Sequence, residues 1–375
     1  MLKDNLLNIL KLIPLQNTII FESSPDLTDS PYYMFRYLVE HYHIQNRYKL
    51  VWFIRDDVNS VTELAGVPVV CVNNNSNDKR LTSRIKRLYY NFTAKAILDS
   101  NMYVYKKRPE QVRIFVDHGM PLKEAVEYQS NIGSCDIVSV SSPLFAEIYA
   151  KYTDPDTIRI CGLPRDEPLY DIKRENALEK KIIWMPTFRQ HKDKKKEPAN
   201  IFPLGIPLIK TQEELEEVNK TLKKHHVTLM LRLHPAQDTS VLRVKNMSNI
   251  ILADNQYLKE QNLTLEQFLA ESDALITDYS SVYYDYLYTG RPIGLTFEDV
   301  KEYTKTMKLI FEDIEKELPG RKMLTAEDLM AFIKEIETGE DLYAEERSAF
   351  MNKFKMEKIP SAQLLCNYLM ERLEG

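Results

Sequence analysis

Residues 274–288 read ALITDYSSVYYDYLY, an apolar run that gives way to two serines and then to an aromatic-rich segment. An apolar strand ends at Thr277, and a helix is expected from near Ser280 to Gly290, where Arg291-Pro292 follows. Glycine just past a helix and proline soon after suit a helix stop. A strand that turns directly into a helix places the helix's free N–H groups at the carboxyl edge of a sheet. Ser280 and Ser281 add hydroxyl donors there, and no acid follows until Asp285. That combination suits a phosphate, although Ser280 also reads as an ordinary N-cap.

The same unit recurs along the chain. Asn17–Phe21 (NTIIF), Tyr48–Phe53 (YKLVWF), Val67–Val72, Ala96–Leu98, Arg113–Val116 and Ile137–Ser139 read as one series of strands, with a helix near Tyr32–Tyr42. Lys181–Met185, Val227–Leu233, Ile250–Leu252, Ala274–Ile276 and Pro292–Leu295 form a second series. Thr211 with Glu214, and Thr264 with Gln267, carry capping-box spacing ahead of apolar residues. Strands alternating with helices predict an α/β protein with parallel sheets covered on both faces. The polar segment Asp166–Glu179 separates the two series. We therefore expect one domain over 1–170 and another over 171–345, with a C-terminal helix in 346–375 packing back on the first.

The 375 residues suit two domains, and 44% apolar with 28% charged residues is a globular balance. A formal net charge of -5 gives no basic field for nucleic acid. The four cysteines are scattered without a CxxC pair, so neither a disulfide framework nor a zinc site is expected. The sequence contains no GxGxxG, no GxxxxGK[ST] and no GxSxG, which removes the nicotinamide, P-loop and α/β-hydrolase readings. Asp154-Pro155-Asp156 mimics a metal-binding DxD but sits in a polar turn. The N-terminal MLKDNLLNILKLIP is interrupted by Lys3, Asp4 and Lys11 and is not read as a signal peptide, and no apolar run reaches bilayer length.

Two further segments carry candidate chemistry. In Val227–Pro235 (VTLMLRLHP), alternation puts Val227, Leu229, Leu231 and Leu233 on one face, and Arg232 with His234 on the other at the strand's carboxyl end. A cation beside an imidazole suits a diphosphate; a histidine that only closes the strand suits the pattern as well. In Arg113–Lys123 (RIFVDHGMPLK), His118 projects from the carboxyl edge of the first sheet, and Gly119 permits a tight turn. Imidazole is suited to take a proton near neutral pH, though a structural loop histidine fits the same pattern. Neighbours in an extended segment point to opposite faces, so Asp117 is not expected to orient His118. Thr187 and Arg189 end the first strand of the second series, Thr277 and Asp278 end the strand before Ser280, and Gly162-Leu163-Pro164-Arg165 lies at the expected hinge.

Taken together, HGMPLK (His118–Lys123), GLPRDE (Gly162–Glu167), MPTFR (Met185–Arg189), RLHP (Arg232–Pro235) and SDALITDYSSVYYDYLYTGRPI (Ser272–Ile293) resemble, in order and spacing over roughly the central half of the chain, the CDP-glycerol glycerophosphotransferase family of teichoic acid primases and polymerases. IIFESS (Ile19–Ser24) and KLVWFIRD (Lys49–Asp56) are similar more loosely. The resemblance implies a GT-B-like architecture, with two Rossmann-like domains whose parallel sheets face a central cleft. It also implies transfer of a polyol phosphate, glycerol phosphate or ribitol phosphate, from a CDP-linked donor to a hydroxyl, releasing CMP. By the same likeness His118 and His234 are catalytic, with His118 as base. Arg232, Thr187, Arg189, Thr277, Asp278, Ser280 and Ser281 face the donor, and Asp117, Gly119 and Lys123 the acceptor. The chain departs from the family in having Asp117 where an aromatic residue is usual and Met120 where Thr is usual.

No metal or other cofactor is expected, because cations and helix N–H groups can neutralise a diphosphate. The implied acceptor is a saccharide on a polyprenyl diphosphate, which places the enzyme in the cytoplasm, peripheral at the inner face of the plasma membrane. Lys79–Phe92 (KRLTSRIKRLYYNF) sets Leu81, Ile85, Leu88 and Phe92 at helical spacing among basic residues, a pattern for an anionic membrane surface or for a helix packed on its sheet. The loop His191–Lys196 (HKDKKK) adds positive charge, and the stripe Leu2, Leu6, Leu10 and Ile13 reads as packing. The competing readings are a GT-B glycosyltransferase using a nucleotide sugar and a non-catalytic relative that binds a lipid carrier.

Overall fold

A computed structural model describes residues 10–55, 62–75, 77–124, 132, 134–172, 179–189, 202–234, 237 and 239–375. Its strands are β1 Gln16–Glu22, β2 Lys49–Ile54, β3 Glu63–Leu64, β4 Val67–Pro68, β5 Val70–Asn73, β6 Ala94–Asp99, β7 Val112–Val116, β8 Ile137–Val140, β9 Ile158–Ile160, β10 Lys180–Met185, β11 Val227–Leu231, β12 Ile250–Leu252, β13 Ala274–Thr277, β14 Ile293–Thr296 and β15 Arg321–Met323. One seven-stranded sheet runs β5-β2-β1-β6-β7-β8-β9, and one six-stranded sheet runs β12-β11-β10-β13-β14-β15. Every pairing within these two sheets is parallel.

The apolar runs explain the first sheet. Ile19, Phe21, Leu50 and Trp52 face one side, where Met34, Phe35 and Leu38 of the helix Asp29–Tyr42 cover them. Ile20, Val51 and Phe53 face the other side with Val72 and Ile97. A strand buried on both faces needs a continuous apolar run rather than an alternating one, which is what NTIIF and KLVWF supply. The second sheet is covered on one face by Leu215, Val218 and Leu222 of the helix Gln212–Lys224 and by Leu329, Phe332 and Ile333 of the helix Ala326–Thr338. The capping boxes at Thr211 and Thr264 form as expected, each with its reciprocal pair of bonds.

The chain divides into two compact units. The first comprises Met1–Met120, Val126–Glu167 and Met356–Gly375, and the second Pro121–Ala125 and Pro168–Lys355. Leu365, Cys366, Leu369 and Met370 of the helix Ser361–Glu374 lie in the core of the first unit. The helix Ala344–Lys353 stays with the second. A single break near residue 170 misses both this split of the C-terminal helices and the short excursion at Pro121–Ala125.

Other departures are local. Val67–Val72 is not one strand: Val67–Pro68 pairs antiparallel with Glu63–Leu64, and only Val70–Asn73 joins the sheet. Proline at 68 lacks the N–H that an interior strand needs. β11 ends at Leu231, two residues before the expected Leu233. The helix expected over Ser280–Gly290 is Val282–Leu287. β9 and β15, three residues each, were not expected from the pattern at all.

Candidate functional site

In each sheet the order in which strands are added reverses once. In the first, strands are added outward from β1 through β2 to β5, and then from β6 on the opposite side to β9. In the second, the reversal lies between β10 and β13. Open α/β sheets bind ligands beyond the carboxyl ends of strands at such a switch point. The candidate residues cluster at these two edges.

At the first edge, β7 delivers Asp117 and His118. Asp117 is fully buried, whereas the His118 side chain is 46% exposed. Asp117 Oδ1 lies 2.7 Å from His118 Nδ1 and accepts the backbone N–H of His118, also at 2.7 Å. The Ser100 carbonyl is 3.2 Å from the same ring nitrogen. Asp117 therefore does orient His118, contrary to the expectation from strand alternation. The strand ends at Val116, so the strict in-and-out rule no longer governs the next pair. Gly119 follows at a φ of 130°, a conformation that side chains disfavour. Burial pushes the His118 pKa down, but the charge and hydrogen bond of Asp117, with Asp29 and the Ser100 carbonyl adding to them, outweigh burial and raise it to about 9.

GLPRDE supports this edge. Arg165 donates to the His118 carbonyl at 2.7 Å and to Asp29 Oδ1 at 3.1 Å. Glu167 accepts the N–H of Ala362 at 2.6 Å, which caps the helix Ser361–Glu374. At the switch point itself, Glu22 ends β1 and Asp99 ends β6. Arg113 holds Asp99 through two bonds of 2.8 and 2.7 Å, all of it buried. Burial, with Asp99 and Asp26 nearby, raises Glu22 to about 8 against the pull of Arg55.

The second edge is differently built. Arg189 is 4% exposed and donates to Asp299 at 2.7 and 3.1 Å, to Asp278 at 2.9 Å and to the Thr187 carbonyl at 2.7 Å. Asp278 Oδ1 also accepts from the Thr187 N–H at 2.8 Å and hydroxyl at 2.5 Å. Tyr279 donates to Asp299 at 3.0 Å and stacks on Tyr303 at 3.9 Å between centroids. Thr277 donates to the Met185 carbonyl at 2.9 Å. The expected donor-facing set Thr187, Arg189, Thr277 and Asp278 is thus bonded largely to itself. Asp299 and Tyr303 joined it unforeseen; Asp299 lies just past β14, so the same carboxyl-edge rule would have found it.

Lys123 belongs with this second group rather than with the acceptor side of the first unit. Leu122 and Glu124 pair antiparallel with Ile310 and Lys308, and Lys123 Nζ stands 5.7 Å from the centre of the Tyr303 ring. Burial lowers its pKa to about 8, with Asp278 opposing the shift.

The remaining donor-side residues divide. Arg232 is 7% exposed and committed to the Ala253 carbonyl and Asn255 side chain at 3.1 and 2.7 Å. His234 is exposed, with its ring 5.1 Å from that of Phe188. Ser280 and Ser281 are half-buried ahead of Val282, and Ser281 rather than Ser280 stands at the N-cap, without a side-chain capping bond. Asp154 does close a turn, accepting the Asp156 N–H at 3.0 Å. Pro235 and the run His191–Lys196 lie outside the described residues.

A family model described as CDP-Glycerol:Poly(glycerophosphate) glycerophosphotransferase matches residues 7–370. The chain belongs to this family. Among curated family relatives, it is 24% identical to the teichoic acid glycerol-phosphate transferase of Staphylococcus aureus (strain NCTC 8325 / PS 47), covering 97% of this chain and 95% of that protein. It is 27% identical over 285 residues to the teichoic acid glycerol-phosphate primase of Bacillus subtilis (strain 168), covering 68% of each. Among solved structures, the wall teichoic acid polymerase TagF superposes with a TM-score of 0.75 at 20% identity, covering 99% of this chain and 94% of that one. The glycerophosphotransferase family and the α/β, GT-B-like fold of paired Rossmann-like units expected from the sequence both stand.

Proposed function

We propose that this chain transfers glycerol phosphate from CDP-glycerol to a hydroxyl of a lipid-linked acceptor, releasing CMP, in teichoic acid synthesis. The observation that carries the reading is the setting of His118. Carboxylate and carbonyl oxygens only accept, so the Nδ1 facing Asp117 and Ser100 carries the proton, and Nε2 is left as the nitrogen that can receive one.

In its neutral form, the minority one below its pKa of about 9, His118 takes at Nε2 the proton of the acceptor hydroxyl as that oxygen bonds to the phosphorus bearing glycerol. The bond from that phosphorus to the bridging oxygen breaks, and CMP departs with the electron pair. Catalysis of this kind rests on positioning, charge stabilisation and proton removal. His234 and the N–H and hydroxyl groups at Ser280 and Ser281 bind the diphosphate. The buried network of Arg189, Asp278 and Asp299 holds the loops from which they project, and Arg232 braces the His234 segment from beneath. No metal or cofactor enters this scheme.

The acceptor is a saccharide on a polyprenyl diphosphate, and the enzyme works peripherally at the inner, cytoplasmic face of the membrane. The helix Leu81–Thr93 supports that placement. Leu81, Ile85 and Tyr89 are 69%, 49% and 37% exposed along one stripe, flanked by Arg80, Arg84, Lys86 and Arg87 with no acid in the helix. Only its end, at Phe92 and Thr93, is buried. Among the described residues no helix is long and apolar enough to cross a membrane.

The test is CMP release by purified protein from CDP-glycerol and, separately, CDP-ribitol, with a soluble analogue of a lipid-linked disaccharide. Release that requires the acceptor and is lost in His118→Ala and His234→Ala is the expected result. Silence with both donors from folded protein would overturn the reading in favour of a nucleotide-sugar donor.

A further inference from the structure

Tyr149 enters no motif, yet it meets the proposed base at one remove. It ends the helix Pro143–Tyr149, is 1% exposed, and its hydroxyl donates to Asp117 Oδ2. The other oxygen of the same carboxylate faces His118 Nδ1. We infer that Tyr149 and Asp117 are positioning residues, forming with His118 a relay that fixes the imidazole tautomer and sets how strongly Nε2 holds a proton. The inference rests on the reading of His118 as the base.

Three features of the geometry carry it. Asp117 is fully buried, so its charge is not dispersed by water and acts on the ring beside it. Oδ1 is engaged by the His118 N–H and faces Nδ1, while Oδ2 is held by Tyr149. The carboxylate therefore cannot rotate without breaking bonds on both sides. Finally, Arg165 fixes the His118 carbonyl, which holds the backbone from which the ring projects.

The relay has a sign that a purely structural contact lacks. Asp117 stabilises the imidazolium, so replacing it with asparagine makes His118 release its proton at lower pH. Tyr149 draws electron density from the same carboxylate, so removing its hydroxyl leaves Asp117 a stronger partner and moves His118 the other way. Both changes loosen the ring and slow transfer.

The experiment labels the histidine ring nitrogens with 15N and follows them by NMR through a pH titration, the His118 signals being assigned by their loss in His118→Gln. The wild type, Asp117→Asn and Tyr149→Phe proteins are each checked for folding by circular dichroism. In the wild type the neutral ring should be protonated at Nδ1. The midpoint should fall by more than one pH unit in Asp117→Asn and rise in Tyr149→Phe. The low-pH limb of kcat/KM for CMP release should move with it in each case. At saturating substrate, kcat should fall at least tenfold in Asp117→Asn and several-fold in Tyr149→Phe. An unchanged tautomer and midpoint in folded Asp117→Asn would overturn the relay, as would a midpoint unmoved by Tyr149→Phe. Midpoints that move as stated while transfer rates and their pH profile stay fixed would instead overturn His118 as the base.

Discussion

The two carboxyl edges carry similar chemistry in opposite states. At the first, one ionisable group stands half in solvent while its partners are buried behind it. At the second, Arg189 is enclosed by the carboxylates of Asp278 and Asp299 and by the rings of Tyr279 and Tyr303. A group that must exchange a proton needs an open face and a fixed back. A group that must only keep loops in register needs every donor matched, because a buried charge without a partner is costly. The difference separates residues expected to act from residues expected to hold.

Activity should separate the two edges most strongly. His118→Ala should lower kcat/KM by about 100- to 10,000-fold, the usual worth of a positioned general base. Its cost in stability should be confined to lower pH, where the charged ring pairs with Asp117, and should shrink as pH rises through about 9. Arg189→Ala should show the reverse order of causes. It leaves two buried carboxylates facing each other, and loss of one member of a buried pair typically costs about 3–5 kcal/mol. Urea unfolding of the two variants, read beside CMP release, distinguishes the roles. Equal destabilisation by both would dissolve the distinction between a residue that acts and one that holds.

A third variant sharpens the contrast within the first edge. Glu22 has its folded pKa raised from 4.5 to about 8 by burial and by Asp99. Between these values the folded protein keeps a proton that the unfolded chain has lost, so stability falls as pH rises from about 4.5 to about 8 and levels off above. Glu22→Gln removes this dependence. It should match the wild type near pH 4.5 and exceed it by a few kcal/mol at pH 8, measured by denaturant midpoints across the range. His118 runs the opposite way relative to its ordinary value. Its pairing with Asp117 contributes fully below about pH 6.5 and is lost as pH rises through about 9.

Much of this was legible in the sequence because it depends on neighbours along the chain. Doubly buried strands announce themselves as apolar runs, and Thr211 with Glu214 specifies its own helix start. His118, Ser280 and Arg189 could be placed at carboxyl edges from strand ends alone. What was hidden depends on contacts between distant segments. Nothing near Tyr149 indicates that it meets Asp117, and nothing in Pro121–Lys123 indicates that it pairs with residues near Leu309. Val67–Val72 is not one strand for a local reason, since the chain reverses at Ala65-Gly66 just ahead of it and Pro68 interrupts the ladder. Asp117 escapes the alternation rule because it and His118 both lie past the end of β7.

The smallest effect concerns how each unit caps its helices. Thr211 and Glu214 close the helix Gln212–Lys224 within four residues of sequence. Glu167 caps the helix Ser361–Glu374 from almost two hundred residues away, with its carboxylate accepting the Ala362 N–H. Either cap is worth about 1 kcal/mol when removed. Their consequences differ because a local cap only lengthens or frays its own helix, whereas Glu167 also ties the last helix to the segment that carries Arg165. Thr211→Ala should therefore lower stability by about 1 kcal/mol with transfer unchanged. Glu167→Ala should lower it by a similar amount, speed amide exchange along Ser361–Glu374, and reduce kcat severalfold through the Arg165 support of His118. Identical kcat in the two variants would mean that the C-terminal helix stabilises the first unit without bearing on the base.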